Sequence, residues 1–275
     1  MLALVVTGCP YNPEEHGYVQ VWSDEFDGTQ LDTFRWETHV PFQPAPNPGE
    51  IVVSDGTLKL RSIRSTGEHW TAITTLGPRS PSEPNYPNAL TFEEGYFEAR
   101  VRYTDDGYSF PAVWLLSSAV AEAYPDRDTH CPTLAAELDI MEGLVPTGVA
   151  GKPERATGTL HRNTWLWADD PDGTCGQPDT ITSNPREAVE GEVLHDWHVW
   201  AARWTADEVC WYLDREQYAC EPTFDSTAQP MHLILTSAWY AEQPCRSWLY
   251  PTGCPPKPDF TELEVDYVRV WELTD

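Results

Sequence analysis

Lysine is almost absent from this sequence of 275 residues, and Lys59, Lys152 and Lys257 are the only examples. Lysine and arginine together number 17 against 44 acidic residues, so the formal net charge is −27 and the isoelectric point is near 4.4. A charge of this sign repels the phosphates of nucleic acids and of anionic membranes, and it also disfavours strongly sulfated polysaccharides. We therefore exclude nucleic acid as a partner.

Long apolar runs, internal repeats and helical periodicity are also missing, so no segment is expected to span a membrane. Short stretches rich in Val, Ile, Tyr, Trp and Phe alternate instead with turn residues, and most of the 25 prolines lie between them. These stretches are 58–62, 95–103, 112–116, 197–204, 209–213, 231–238 and 263–271. The pattern predicts an all-β sandwich or barrel. We expect a tail at 1–17 and a single domain at 18–275.

Cysteine is not scarce, because the chain has seven, and this number indicates an oxidising, extracellular compartment. Cys210 and Cys220 flank a turn near Asp214-Arg215 at similar distances, which would place them opposite each other in a hairpin. We predict a disulfide between them. The other expected pairs are Cys245–Cys254, across a proline-bearing loop, and Cys131–Cys175, by elimination. The connectivity of six cysteines stays open, and metal binding is the alternative, although no C-x-x-C spacing supports it.

Cys9 is the unpaired cysteine of this scheme. The residues Val6-Thr7-Gly8-Cys9 look like a bacterial lipobox, whose cysteine is lipidated after cleavage. The apolar run before it, 2–6, is too short for a full signal and carries no basic region. Two alternatives follow: a secreted protein that is anchored by lipid at Cys9, or a chance match in a secreted protein without an anchor.

Three carboxylates, Glu137, Asp139 and Glu142, stand in a stretch that otherwise has the composition of a buried strand. Because side chains alternate along a strand, Glu137 and Asp139 share one face and Glu142 faces the other way. One extra residue, a β-bulge near Ile140 or Met141, would bring Glu142 onto the face of the other two. The two glutamates could then approach to about 5–5.5 Å, the separation typical of a retaining glycosidase. Solvated strand faces and calcium sites also carry acidic triplets.

The pattern E-x-D-x-x-E resembles that of family 16 of the glycoside hydrolases, and the resemblance extends along nearly the whole chain. Further segments resemble the motifs of this family, in the same order along the sequence. They are 22–28 (WSDEFDG), 55–60 (DGTLKL), 95–101 (GYFEARV), 110–116 (FPAVWLL), 159–161 (TLH), 197–200 (WHVW), 211–214 (WYLD) and 265–271 (VDYVRVW). Each of these is weak by itself, whereas the ordered set around the triad is strong.

The resemblance implies a jelly roll of the concanavalin A type, a β-sandwich with a concave substrate cleft. It also implies that Glu137 is the nucleophile, which forms a covalent glycosyl-enzyme, and that Glu142 is the acid/base. Glu142 needs a raised pKa for this role, and the charge of Glu137 would supply it. Asp139 is expected to assist by a hydrogen bond to Glu137.

Four further residues are expected to bind substrate: Trp114, His161, Trp165 and Trp239. Aromatic faces stack on pyranose rings, and the family places a tryptophan and a histidine at the first two of these positions. Two features depart from the laminarinase members: Pro132 replaces a tryptophan, and 71–75 replaces an SGRI stretch. Both departures lie where sugar specificity is set, so the substrate is less determined than the reaction.

The expected activity is retaining endo-hydrolysis of a β-1,3-linked neutral polysaccharide, with β-1,3-glucan of the laminarin type as the substrate. A β-1,3-galactanase or agarase of the same family is one alternative, and a glycan-binding sandwich without catalysis is another. Catalysis requires no cofactor, while the resemblance implies a structural calcium near Glu25 and Asp266. The expected partner is the polysaccharide alone, bound by a monomer.

Overall fold

The computed structural model describes residues 10–38, 49–63, 70–75, 90–104, 108–119, 136–145, 154–162, 181–188, 192–239, 256 and 258–274. These residues form mainly β-strands, with short 3₁₀ turns at Pro13–His16 and Asp225–Ala228. No helix in this part of the chain is both long enough and apolar enough to span a membrane. The strands are β1 Tyr18–Asp24, β2 Ile51–Ser54, β3 Thr57–Ile63, β4 Trp70–Thr74, β5 Gly95–Tyr103, β6 Ser109–Ser117, β7 Ala136–Val145, β8 Arg155–Arg162, β9 Ile181–Glu187, β10 His198–Trp204, β11 Glu208–Leu213, β12 Glu216–Pro222, β13 Met231–Trp239 and β14 Phe260–Leu273.

The strands form two antiparallel sheets, which confirms the predicted β-sandwich jelly roll. One sheet has the order β12-β11-β10-β5-β14-β3-β2, and β1 also pairs with β14. The other sheet has the order β4-β13-β6-β7-β8-β9. β7, which carries the three carboxylates, therefore lies inside its sheet, between β6 and β8.

The core fills the space between the two sheets. Alternating residues of each strand point inward, as the period of two in the sequence predicts. The larger sheet contributes the buried tryptophans Trp200, Trp204 and Trp211, and the six-stranded sheet contributes aliphatic residues such as Leu115 and Leu138. Burial of these side chains provides the main driving force for folding.

All of the strands predicted from composition are present, with ends that differ by a few residues. The edge strand β9 was not predicted, because its sequence ITSNPRE is polar and contains Pro185. Proline cannot donate to a β-ladder and is tolerated at the edge of a sheet. β9 pairs only with β8 among the described strands, so this position explains why a proline occurs within it.

The hairpin of β11 and β12 confirms the predicted disulfide. Cys210 and Cys220 are directly opposite in the register, and their sulfur atoms are bonded. The chain reverses at Asp214 and Arg215, which have φ angles of 50° and 65°, as a two-residue hairpin turn requires. The other cysteines, Cys9, Cys131, Cys175, Cys245 and Cys254, lie outside the described residues.

Candidate active site

A β-bulge interrupts β7 at the predicted place. On the β6 side, Asp139 is opposite Trp114 and Met141 is opposite Val113, so Ile140 has no counterpart. The register against β8 shifts over the same segment, between Asp139 and Glu142. The bulge returns Glu142 to the side of the sheet that carries Glu137 and Asp139.

These three residues define what we call the carboxylate face, the side of the six-stranded sheet that points away from the core. Residues that are opposite each other in a ladder point to the same side of a sheet, so the register gives three rows across this face. The rows are His232, Leu116, Glu137 and His161; then Thr74, Ile234, Trp114, Asp139, Thr159 and Ser183; then Ala72, Thr236, Ala112, Glu142, Thr157 and Pro185. Trp114 and His161 therefore share a face with the three carboxylates, as expected.

His161 joins two of the carboxylates. Its Nε2 atom lies 3.0 Å from Oδ2 of Asp139 and 3.5 Å from Oε1 of Glu137. The side chains of His161 and Glu137 are each 13% exposed, so both are shielded but within reach of solvent. His161 is thus placed to bind Asp139 and to face the negative charge of Glu137.

Asp139 is the most deeply buried carboxylate of the three. Burial raises the pKa of its carboxyl well above the usual range, and the charge of Glu142 and a hydrogen bond to Glu142 raise it further. Asp139 contacts His161 and Glu142, and the expected hydrogen bond from Asp139 to Glu137 stays a prediction. Two coupled carboxyls of this kind hold one proton between them.

Glu142 also accepts a hydrogen bond from Oγ1 of Thr159, at 3.2 Å. Sequence reasoning singled out His161 on β8 and missed Thr159. The alternation of side chains was a usable signal, since Thr159 stands two residues before His161 and must share its face. Thr159 therefore helps to orient Glu142 from the neighbouring strand.

Trp114 is buried on the carboxylate face, opposite Asp139. Its indole Nε1 donates to Oγ1 of Thr236 at 2.9 Å, and its ring packs among Ala72, Ala112, Leu116 and Ile234. The expected role of Trp114 in substrate binding stays a prediction. Of the other two aromatic candidates, Trp165 lies outside the described residues, and Trp239 ends β13 with a side chain that also lies outside them.

His232 is a buried group of the carboxylate face that sequence reasoning did not single out. It is fully buried, and neither ring nitrogen has a hydrogen-bond partner among the described residues. Burial lowers the pKa of its imidazole to about 3, so the ring is neutral at physiological pH.

Two sets of residues bear on metal binding. Ligand atoms of Glu137, Asp139 and His161 lie within 4.8 Å of one another, and two carboxylates with an imidazole suit a divalent transition metal. The two carboxylates expected near a structural calcium each form an ion pair with an arginine. Glu25 binds Arg269 through both carboxylate oxygens, at 3.0 and 2.8 Å, and Asp266 binds Arg100 at 2.6 Å. The calcium site stays a prediction, and any cation bound by these carboxylates would compete with the arginines.

Comparison with known proteins agrees with this geometry. The family model described as "Beta-porphyranase A-D, GH16 domain" matches residues 17–273. The glucan endo-1,3-beta-glucosidase A1 of Niallia circulans is 25% identical over 303 residues, which cover 96% of this chain and 39% of that protein. The beta-glucanase of Rhodothermus marinus is 26% identical, with coverage of 93% and 85%. The X-ray structure of the laminarinase from Rhodothermus marinus superposes with a TM-score of 0.65 at 23% identity, over 94% of this chain and 98% of that one.

Proposed function

Since this chain belongs to family 16 of the glycoside hydrolases and is an O-glycosyl hydrolase, we propose that it is a retaining endo-hydrolase of β-1,3-linked neutral polysaccharide, with β-1,3-glucan as the substrate. The chain spans 39% of the length of one glucanase relative and 85% of another, so the proposal concerns this domain.

The observation that carries the retaining mechanism is the bulge at Ile140. It places Glu137 and Glu142 on one face of the same strand, with Asp139 between them. Inverting enzymes need room for a water molecule between the sugar and the second carboxylate, and their carboxyl groups are correspondingly far apart, at about 6.5–9.5 Å. Two glutamates that converge from one strand favour the shorter separation of a retaining enzyme.

The reaction follows from the assigned roles. Glu137 attacks the anomeric carbon, while Glu142 gives its proton to the glycosidic oxygen, so that the C–O bond breaks and a glycosyl ester forms. Glu142 then takes a proton from water, and the resulting hydroxide breaks the ester and frees Glu137. The single proton held by Asp139 and Glu142 is available for the first step, and His161 keeps Asp139 in place.

Two observations support a neutral substrate. The three rows of the carboxylate face that hold the glutamates contain no lysine or arginine, and Arg155, which lies on the same face two residues before Thr157, is opposite the acidic Glu187 of β9. The net charge of −27 adds a repulsive field for anionic polymers. The glucanase relatives favour glucan as the neutral polymer.

A galactan is the second candidate substrate, because the family model that matches residues 17–273 is named for porphyranases, which cleave a galactan. Release of reducing ends from laminarin, lichenan, β-1,3-galactan, agarose and porphyran would rank the candidates. Cleavage of laminarin with little release from the others is the expected result. Cleavage of agarose or porphyran alone would replace glucan by galactan and leave the mechanism standing.

The stereochemistry of the first product tests the mechanism. Proton NMR of a fresh digest should show the β-anomer first, followed by mutarotation to the α-anomer. An α-anomer that appears first would mean inversion and would refute the roles of Glu137 and Glu142. A protein that binds laminarin tightly and cleaves no polysaccharide would be a glycan-binding sandwich instead.

A further inference from the structure

The bulge at Ile140 interrupts the ladder where the two glutamates need their spacing. A bulge disrupts ladder pairing, and buried backbone groups near it need other partners. One such partner comes from the opposite sheet. Trp211 of β11 donates its indole N–H to the backbone carbonyl oxygen of Asp139 at 2.8 Å, and this bond is buried.

Gly158 makes room for this contact. It lies on β8 between Thr157 and Thr159, beside the bulge. A Cβ atom at position 158 would lie 2.3 Å from Cδ1 of Trp211 and 2.5 Å from its Nε1. Real atoms do not approach so closely, and the indole is fully buried in a close-packed core. Any larger residue at this position would therefore displace the ring.

We propose that Trp211 is a positioning residue for the hydrolysis: it holds the carbonyl of Asp139, thereby fixes the bulge, and so sets the placement of Glu142 relative to Glu137. The proposal rests on the roles that the proposed function gives to the two glutamates. Trp211 belongs to the other sheet and lies in the core, so it acts through the backbone of β7 and contacts no sugar.

Trp211→Phe tests this role, because it removes the indole N–H and keeps an aromatic ring. The matched control is Trp200→Phe. Trp200 is fully buried in the same core on the neighbouring strand β10, and its Nε1 atom makes no hydrogen bond within the part of the chain that the structure describes. Both substitutions remove the same volume, but Trp211→Phe also leaves the buried carbonyl of Asp139 without this donor, so its midpoint of urea unfolding should fall further than that of Trp200→Phe. Gly158→Ala disturbs the same hydrogen bond by a different route, because the added methyl group would displace the indole of Trp211.

Dependence on the leaving group provides the deciding measurement. A sugar alcohol leaves only when Glu142 protonates it, whereas 2,4-dinitrophenolate leaves without a proton. Trp211→Phe should lower kcat by about 100-fold on the polysaccharide that the wild type cleaves, with KM little changed. The loss of kcat/KM, which reports the first step alone, should be far smaller on 2,4-dinitrophenyl β-laminaribioside, or on the corresponding β-galactoside if the substrate is a galactan.

Three results would overturn the proposal. They are a loss of kcat/KM in Trp211→Phe that is equal on both substrates, a loss in Trp200→Phe as large as that in Trp211→Phe, and a loss in the double variant Trp211→Phe/Gly158→Ala that equals the product of the two single losses. Trp211→Phe and Gly158→Ala disturb the same hydrogen bond, so the loss of activity in the double variant should be smaller than that product. Failure of the proposed function looks different, since the wild type itself would then release the α-anomer first or cleave no polysaccharide.

Discussion

Arg215 binds the buried carboxylate of Glu98 through two N–H groups, at 2.9 and 3.0 Å, from a backbone with a φ of 65°. Glycine or asparagine is the usual residue at such a turn position. The Glu98 side chain is 0% exposed, and it also accepts a hydrogen bond from the hydroxyl of Tyr267. From this strained turn, Arg215 neutralises a charge that burial would otherwise make costly.

Arg215→Met should therefore destabilise the protein more than loss of a surface ion pair does. Removal of one partner leaves Glu98 buried and unpaired, at a cost of about 3 kcal/mol or more. Arg35→Met is the control, because the ion pair of Arg35 with Asp32 is exposed on both sides and should contribute about 1 kcal/mol or less. Urea unfolding measures both, and equal losses would contradict the importance of the buried pair.

Removal of either glutamate should produce a distinct product when azide is added. Glu137→Ala and Glu142→Ala should each lower turnover of polysaccharide by about 1000-fold or more. With a 2,4-dinitrophenyl glycoside and azide, Glu137→Ala should give the α-glycosyl azide, because azide replaces the missing nucleophile. Glu142→Ala should give the β-glycosyl azide, because azide attacks the covalent intermediate. NMR of the products checks both, and the reverse pattern would exchange the two roles.

Asp139→Asn should separate stability from activity. The pKa of Asp139 is raised in the folded state above its ordinary value of 3.8, so folding takes up a proton. The stability from protonated Asp139 is fully present below pH 3.8 and is lost as the pH rises through the folded pKa. An asparagine does not titrate, so Asp139→Asn does not lose stability in this way. The stability of the variant relative to the wild type should therefore increase from pH 4 to pH 8, while kcat falls.

Urea midpoints at several pH values measure this dependence. Asp207→Asn is the control, since Asp207 is exposed and its side chain is remote from the carboxylate face. A stability difference for Asp139→Asn that does not change with pH would show that Asp139 is ionised in the folded protein.

His232→Leu should reduce the sensitivity of the fold to acid. The pKa of His232 falls from 6.5 to about 3 on folding, so the unfolded chain binds more protons between these values. The stability that depends on neutral His232 is therefore complete above pH 6.5 and is lost as the pH falls towards 3. Because neither nitrogen has a hydrogen-bond partner in the described ranges, an apolar residue leaves no group in those ranges unsatisfied.

The measurement is the slope of unfolding free energy against pH between 3 and 6.5, which should be shallower in His232→Leu than in the wild type. His16→Leu is the control, because His16 is exposed and should leave the slope unchanged. A slope that is equal in both variants would mean that His232 is protonated without unfolding.

The bulge and the hairpin could be predicted because each leaves a local signal. Carboxylates at positions 137, 139 and 142 of one strand cannot share a face without an extra residue, and two cysteines about a turn define a register. The arginine partners of Glu25 and Asp266 could not be predicted, since they depend on which strands become neighbours. The same holds for the contact of Trp211 with Asp139, which joins two sheets across the core, and for the pairing of Asp139 with Glu142.

The pairing of β1 with β14 has a mechanical consequence. Tyr18, the first residue of β1, is opposite Leu273, the last residue of β14, and the ladder runs inward from there to Asp24 and Val268. A force that pulls residues 18 and 273 apart would load one rung of the ladder at a time, so the strands would unzip at low tension. The carboxylate face belongs to the other sheet, so the early rungs could open while the glutamates keep their places.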